Sequence, residues 1–227
     1  MTTSCCSHFS DAVAGQFNAA NAESDLKRYR RKGPNSSTRL LRTMVLRAGG
    51  GQTLLDIGGG IGALSFELLA AGMEHAILVD ASSASLATAR REAVERGDAD
   101  HMTFLEGDAV LLGRDIGSAE VVVMDRVICC YPDVDPLLDV AFGHSVTMCA
   151  LSFPRESWLA RAVVGLENQV RKLRGNPFRV YLHPAASIDN AAQRHGFRCI
   201  DRAGTFAWRV RVYTRDEEHS RPTQGEH

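Results

Sequence analysis

The chain has 227 residues, of which 44% are hydrophobic and 23% are charged, and its formal net charge is −1. These values predict a folded globular protein with a single α/β domain and exclude a disordered or fibrous chain. The near-neutral charge provides no global field that would recruit nucleic acid or an anionic membrane. No apolar segment reaches the roughly 20 residues of a membrane-spanning helix, and the N-terminus lacks a leader, so we expect a cytoplasmic protein without a membrane span.

The cysteines indicate neither a disulfide framework nor a zinc ribbon, because no Cys-x-x-Cys spacing occurs. Two vicinal pairs, together with His8, could offer thiolate and imidazole ligands to a soft metal ion. Adjacent residues on a strand point to opposite faces, however, so one partner of each pair would be turned away, and we predict no metal site. The six cysteines are Cys5, Cys6, Cys129, Cys130, Cys149 and Cys199.

Both ends of the chain, residues 1–20 and 216–227, have little apolar periodicity, and we expect them to be mobile around one domain at 21–215. Within that domain apolar runs alternate with amphipathic segments, which predicts a parallel sheet with right-handed crossovers. The predicted strands are 53–58, 76–80, 102–108, 120–127 and 145–152, and the predicted helices are 37–49, 63–71, 82–97, 135–143, 157–174 and 187–195.

The last apolar segments, FRCIDRAG at 197–204 and TFAWRVRVYTR at 205–215, predict two further strands joined through Ala203 and Gly204. In the final segment, apolar residues alternate with arginines and Tyr213. This alternation predicts an antiparallel strand with one face in water.

A glycine cluster follows the first predicted strand in LLDIGGGIG, where Gly58, Gly60 and Gly62 directly precede a helix. Glycine is required where the backbone turns tightly and a ligand approaches closely, and the helix N-terminus behind it presents free N–H groups. Asp56 lies two residues before the first glycine. A buried carboxylate there suits a cationic amino group and would repel a pyrophosphate.

Two more acids end the next predicted strands. Asp80 follows the second strand, where a carboxylate can accept both hydroxyls of a ribose, and Asp108 follows the third, where it can meet an adenine amino group. Because ligands of open α/β folds bind at the carboxyl edge of the sheet, Asp56, Asp80 and Asp108 predict a nucleoside site at that edge. As an alternative, each acid is an ordinary helix cap.

This pattern resembles the class I S-adenosylmethionine-dependent methyltransferases over residues of about 38 to 215. The resemblance implies a Rossmann-like α/β fold, with a seven-stranded, mostly parallel sheet, a C-terminal antiparallel strand and helices on both faces. It also implies S-adenosylmethionine as cofactor and a set of contacts to it. Gly58, Gly60 and Gly62 would hold the methionine part, Asp80 with Ala81 the ribose, Asp108 with Ala109 the adenine, and Asp125 with Arg126 would lie beside the cofactor at the end of the fourth strand.

The acceptor is expected to be a small molecule. Methyl transfer from a sulfonium is an in-line displacement of an activated group, so the enzyme mainly aligns the acceptor and excludes water. In DRVICCYPD at 125–133, Tyr131 is a candidate catalytic residue, and His183 is a second because its near-neutral pKa suits a base. The predicted helix 157–174 would cover the substrate, with Phe153 and Trp158 against an apolar acceptor.

The basic run KRYRRK at 27–32 is expected to be a solvated helix face or a lid over the cofactor. In the lid hypothesis Tyr29 contacts the ligand, and Arg30 or Lys32 lies near the methionine carboxylate or an anionic substrate.

Within the family, RYRRKG and DRVICCYPD resemble the methyltransferases that esterify a magnesium porphyrin carboxylate. Two alternatives to methyl transfer stay open from the residues alone: an NAD(P)-dependent oxidoreductase and a non-catalytic nucleotide-binding module.

Overall fold

The structure, a computed structural model, describes residues 12, 13 and 15–216 and contains one seven-stranded sheet. The strands are β1 (Thr53–Ile57), β2 (His75–Asp80), β3 (Met102–Glu106), β4 (Ala119–Asp125), β5 (Ser145–Pro154), β6 (Phe197–Gly204) and β7 (Trp208–Arg215). They are arranged in the order β3-β2-β1-β4-β5-β7-β6, and β7 runs antiparallel to β5 and β6 while the other neighbours are parallel. The predicted fold class is confirmed.

Eight α-helices are described in this part of the chain, and several begin or end at the residues that favour capping. Asn18, Asn35, Ser82 and Ser157 each accept a backbone N–H at a helix start. The helices are α1 (Ala19–Lys32), α2 (Ser36–Arg47), α3 (Ala63–Leu69), α4 (Ser83–Arg96), α5 (Ala109–Leu112), α6 (Asp135–Gly143), α7 (Trp158–Leu173) and α8 (Ala185–Arg194).

The sheet is covered on both faces, because successive residues of a central strand point into two different hydrophobic clusters. Val121 and Val123 pack in the cluster that contains residues of α1 to α4. Val122 and Met124 pack in the cluster that contains residues of α6 and α8. Burial on both faces explains why the central strands are continuous apolar runs rather than alternating ones.

The prediction that the last strand has one wet face is wrong. β7 lies between β5 and β6, and Arg211 and Tyr213 on its supposedly wet face are buried. Both side chains bond to Asp189 of α8, which covers this face, and the Tyr213 hydroxyl donates to that carboxylate at 2.8 Å. A polar side chain can therefore alternate with apolar ones and still be internal when a helix supplies its partner.

The N-terminal boundary of the domain also differs from the prediction. α1 begins at Ala19, and Ala12 and Val13 are buried against Phe178. Residues 1–11, 14 and 217–227 lie outside the described residues, and with them the predictions made for Cys5, Cys6 and His8, for most of residues 1–20 and for nearly all of the tail. Among the described helices, none has the length and apolarity needed to cross a membrane.

Candidate functional site

A cavity of about 460 Å³ lies at the carboxyl edge of the sheet. The loops after β1, β2, β3 and β4 all reach it, through Gly58, Ala81, Gly107 and Arg126. The order of strands reverses between β1 and β4, which is the point where open α/β sheets bind their ligands. This is the edge of the sheet at which the sequence predicts a nucleoside site.

The loop after β1 wraps around one side of the cavity. Gly58 and Gly60 line it with φ angles of 67° and 59°, in the left-handed region that favours glycine. Gly62 does not line it and starts α3 instead, with a φ angle of 78°. Gly59, between the first two, leaves the least space for a side chain among the four glycines, since a Cβ there would come within 2.2 Å of Leu78 Cδ1.

The two middle glycines provide a matched pair of variants. Gly59→Ala is expected to lower the free energy of unfolding by about 1–3 kcal/mol, because the added methyl collides with Leu78 and Asp56. Gly60→Ala meets no atom within 4 Å and should cost only about 1 kcal/mol of backbone strain. Urea titration of both variants tests whether Gly59 is the more restricted of the two positions. An equal loss of stability in the two variants would contradict this.

Asp56 is fully buried at the end of β1 and lines the cavity. Its Oδ2 accepts a hydrogen bond of 2.7 Å from the Ser65 hydroxyl, while its Oδ1 has no hydrogen-bond partner among the described residues. Burial raises the pKa of Asp56 to about 7, helped by the charges of Asp125 and Asp80 and opposed by the Ser65 hydrogen bond. An orphaned carboxylate oxygen in a cavity wall fits a cationic donor such as the amino group of S-adenosylmethionine.

Asp80 joins two loops at the edge of the sheet. Its Oδ2 accepts from the Gly60 amide at 2.8 Å, and its Oδ1 accepts from the Ser82 amide at 2.7 Å at the start of α4. Burial raises the pKa of this carboxyl, and the two backbone hydrogen bonds oppose the rise. Each oxygen keeps a second lone pair, so the carboxylate can hold the glycine loop and still accept ribose hydroxyls. Ala81, its neighbour, also lines the cavity.

The end of β4 is tied to α2 and β5 by Asp125. Thr38 of α2 donates its hydroxyl to Asp125 Oδ2, and Ser152 of β5 donates to Asp125 Oδ1 at 2.5 Å. The Arg126 amide donates to Ser152 Oγ at 2.9 Å. Arg126 has a φ angle of 64°, a strained conformation for a residue with a side chain, and its guanidinium lies 6.0 Å from the Trp208 ring at the cavity wall.

Asp108 and Ala109, the two residues predicted to contact the adenine, differ in their relation to the cavity. Asp108 does not line the cavity, because its Oδ1 caps α5 through the Val110 amide at 2.9 Å and accepts from the Tyr131 hydroxyl at 2.7 Å. Ala109 does line it, as does the Tyr131 side chain. Burial and the Asp108 charge raise the pKa of Tyr131 well above its ordinary value. The Tyr131 hydroxyl is therefore a hydrogen-bond donor to Asp108 and unsuited to act as a base.

His183, the second catalytic candidate, does not line the cavity. Its Nε2 lies 2.8 Å from the Tyr131 carbonyl oxygen, which can only accept, so Nε2 carries the proton. Neither of the two aromatic residues predicted to contact an apolar acceptor lines the cavity. Phe153 is buried in the core, and Trp158 is exposed on the outer side of α7.

The basic helix α1 covers the cavity, but through other residues than predicted. Tyr29 lines it, and its hydroxyl donates to Glu67 at 3.1 Å. Arg30 does not line the cavity and instead pairs with Glu92 and Glu95 of α4. Arg28 takes its place in the cavity wall.

Three contributors to the site were missed from the sequence. Arg28 of α1 and Thr38 of α2 line the cavity, and helical periodicity alone gave no reason to choose them. Arg171 of α7 lines the cavity beside Phe178, with its guanidinium 5.6 Å from the ring, and its Nη1 is buried without a hydrogen-bond partner among the described residues. The sequence signal that could have found Arg171 is its place on the helix predicted to cover the substrate.

Comparison with known proteins gives one family match, to the family described as "Methyltransferase domain", over residues 54–147. A curated relative, the ubiquinone/menaquinone biosynthesis C-methyltransferase of Brucella anthropi, is 29% identical over 94 residues. That alignment covers 40% of this chain and 36% of the relative, so the chain matches only about a third of the relative's length.

Solved structures show the same fold over most of the chain. The magnesium protoporphyrin IX methyltransferase of Synechocystis PCC 6803 with bound SAH has a TM-score of 0.68 at 21% identity, covering 90% of this chain and 98% of that one. An O-methyltransferase family protein of Burkholderia thailandensis has a TM-score of 0.70 at 15% identity, covering 88% and 61%. The family match includes the glycine loop and the ends of β2 and β4, and it confirms the resemblance drawn from the sequence.

Proposed function

We propose that the chain is a class I S-adenosylmethionine-dependent methyltransferase, which binds S-adenosylmethionine as cofactor and methylates a small-molecule acceptor by in-line displacement; the methyltransferase-domain match and the fold shared with solved methyltransferases support this. The observation that carries the proposal is the cavity at the carboxyl edge, which is lined by the glycine loop and by Asp56, a carboxylate with one oxygen that has no partner among the described residues. Asp56, Gly58, Gly60, Asp80, Ala81 and Ala109 are proposed to hold the cofactor.

The bound cofactor supplies a methyl group that is already activated by a sulfonium. The residues of this chain then have to orient the acceptor and exclude water. Tyr29 of α1 and Phe178 of the segment after α7 close the cavity from two sides. No general base is assigned, because the Tyr131 hydroxyl donates to Asp108 and His183 does not line the cavity.

The acceptor is proposed to carry an acidic group. Arg28, Arg126 and Arg171 all line the cavity. Arg28 and Arg126 pair with Asp25 and Asp125 in the cavity wall. The buried Nη1 of Arg171, in contrast, has no acceptor atom among the described residues and is the group that an acidic acceptor would satisfy. A carboxylate is already nucleophilic at neutral pH and needs no base, which agrees with the side chains present. Magnesium protoporphyrin IX, named for the Synechocystis neighbour, is a first candidate of this chemistry to assay.

The proposal is tested in two steps. Calorimetric titration with S-adenosylmethionine, SAH and NAD should show binding of the two sulfur compounds only. Incubation with methyl-labelled cofactor and either magnesium protoporphyrin IX or fractionated cell extract should then yield a labelled small molecule. Tight NAD binding without binding of the sulfur compounds would favour the oxidoreductase, and cofactor binding without any labelled product would favour the non-catalytic module.

Arg126→Gly is expected to lower methyl-transfer activity without lowering the stability of the fold. Glycine adopts a φ angle of 64° without strain, so the free energy of unfolding should stay level or rise by up to about 1 kcal/mol. Loss of the guanidinium from the cavity wall should lower turnover with an acidic acceptor while cofactor affinity is kept. Thermal unfolding and methyl-transfer assays check this, and full activity in the variant would remove Arg126 from the acceptor site.

A further inference from the structure

The helix α7 exposes its apolar side chains instead of burying them. None of its residues is buried, and the exposed fractions of Trp158, Leu166 and Leu173 are 81%, 68% and 87%. Leu159, Val163 and Val170 are exposed as well. At 100° per residue these six side chains fall within one arc of the helix, so they form a continuous apolar stripe.

The opposite side of α7 contacts the rest of the protein. Its less exposed residues are Ala160, Val164, Asn168 and Arg171, which share a face because they are spaced by three or four positions. Asn168 fixes this face by donating to the Val180 carbonyl at 2.8 Å and accepting from the Val180 amide at 3.0 Å. The helix is therefore held with this face, which carries both apolar and polar side chains, towards the rest of the protein and with its apolar stripe outward.

A further exposed apolar side chain lies near the start of α7, in the turn between β6 and β7. Phe206 in this turn is 94% exposed. The turn adjoins the start of α7, since the Arg155 amide donates to the Ala207 carbonyl at 2.8 Å. Phe206 and the stripe of α7 together are called the apolar ridge below. A ridge of this kind on a folded chain marks an interaction surface.

The charges around the ridge indicate what it contacts. Arg155, Arg161, Lys172 and Arg174 are exposed at its edges and ends. Residues 155–174 carry five cationic and two anionic side chains, a net charge of +3, although the whole chain has a net charge of −1. An anionic partner would be attracted, whereas a second copy of this chain would bring the same cations face to face.

We propose that the apolar ridge docks on an anionic lipid surface, with α7 lying in the plane of the membrane interface. An exposed amphipathic helix with aromatic and aliphatic side chains on one side and flanking cations is suited to this position. Its 16 residues are too few to span a bilayer. α7 borders the cavity through Arg171 on its inner face, so the ridge and the cavity lie on opposite sides of this helix.

The test is co-sedimentation of the full chain with vesicles of phosphatidylcholine, with and without about 30% phosphatidylglycerol. We expect binding to the anionic vesicles, weakened by added salt. Leu166→Ser combined with Phe206→Ser should lower the partition coefficient at least tenfold, because two large apolar side chains are lost from the lipid contact. Arg161→Gln combined with Lys172→Gln should lower it several-fold on anionic vesicles only.

Val94→Ser is the matched control, because Val94 on α4 is 69% exposed, as much as Leu166, but lies outside the ridge. Its binding should equal that of the native chain, and all variants should keep the native circular dichroism. The assay needs neither cofactor nor acceptor, so its outcome is independent of methyl transfer. Absence of binding to anionic vesicles, or unchanged binding in the ridge variants, would overturn the proposal. Concentration-dependent dimerisation abolished by the ridge variants would assign the ridge to a second copy.

Discussion

Asp56→Asn should stabilise the ligand-free protein above about pH 7 while weakening its binding of S-adenosylmethionine. The pKa of Asp56 is raised by burial from 3.8 to about 7 in the folded state. The folded protein therefore binds more protons than the unfolded chain between about pH 4 and about pH 7, and its stability falls as pH rises through this window. The difference corresponds to up to about 4 kcal/mol, which the asparagine variant would recover.

Urea titrations of the ligand-free protein at several pH values measure this effect. Ser65→Ala provides a matched variant, because removing the hydroxyl that stabilises the Asp56 carboxylate should raise its pKa further and steepen the loss of stability. A stability profile of Asp56→Asn that follows the native profile across this range would contradict the assignment.

The same carboxyl should couple cofactor binding to pH. A cationic amino group next to Asp56 Oδ1 favours the ionised form, so binding should release a proton near pH 6 and strengthen towards about pH 7.5. Calorimetry with SAH in buffers of different ionisation enthalpy measures that proton directly. Asp56→Asn should abolish the release, and a native protein that releases no proton would place the amino group elsewhere.

Asp80→Ala is expected to weaken cofactor binding by about 2–3 kcal/mol, roughly 30- to 150-fold. The carboxylate is proposed to hold the ribose, and it also accepts the Gly60 and Ser82 amides at 2.8 Å and 2.7 Å. Its removal therefore costs ligand contacts and the anchor of the glycine loop together. Titration calorimetry with S-adenosylmethionine measures the loss.

Asp80→Asn separates the two roles of the residue. The amide oxygen can still accept one backbone N–H, so the loop should be better preserved than in the alanine variant while ribose binding is impaired. Asp100→Ala, at an exposed carboxylate after α4, serves as the control and should bind normally. Unchanged affinity in Asp80→Ala would mean that the ribose is held by other groups.

The sequence predicted the fold in detail wherever the residue pattern of a segment agreed with the place of that segment in the tertiary structure. The strands at the glycine loop are continuous apolar runs buried on both faces, and the helix at 82–97 ends at Gly97, which adopts the left-handed conformation expected of a cap. The edge of the sheet where Asp56 and Asp80 lie follows from the parallel order of the strands.

The contacts of individual side chains could not be predicted in the same way. Arg30 and Arg28 lie two positions apart on a basic helix, and only the acidic face of α4 decides that Arg30 turns towards Glu92 and away from the cavity. Asp108 was expected to meet a ligand, but the start of α5 and the Tyr131 hydroxyl engage its carboxylate. These partners are distant in sequence, so no local pattern contains them.

In the stretch DRVICCYPD, one feature can be predicted from the sequence and the side-chain contacts cannot. The sequence predicts that the stretch follows a buried strand, because the apolar run that forms the strand is a local property of the chain. Only the tertiary structure shows that Asp125 ties α2 to β5, that Arg126 has a strained backbone conformation with its guanidinium near Trp208, and that Tyr131 donates to Asp108. It likewise decided that α7 turns its apolar stripe outward, since periodicity predicts that a helix has an apolar side but not what that side contacts.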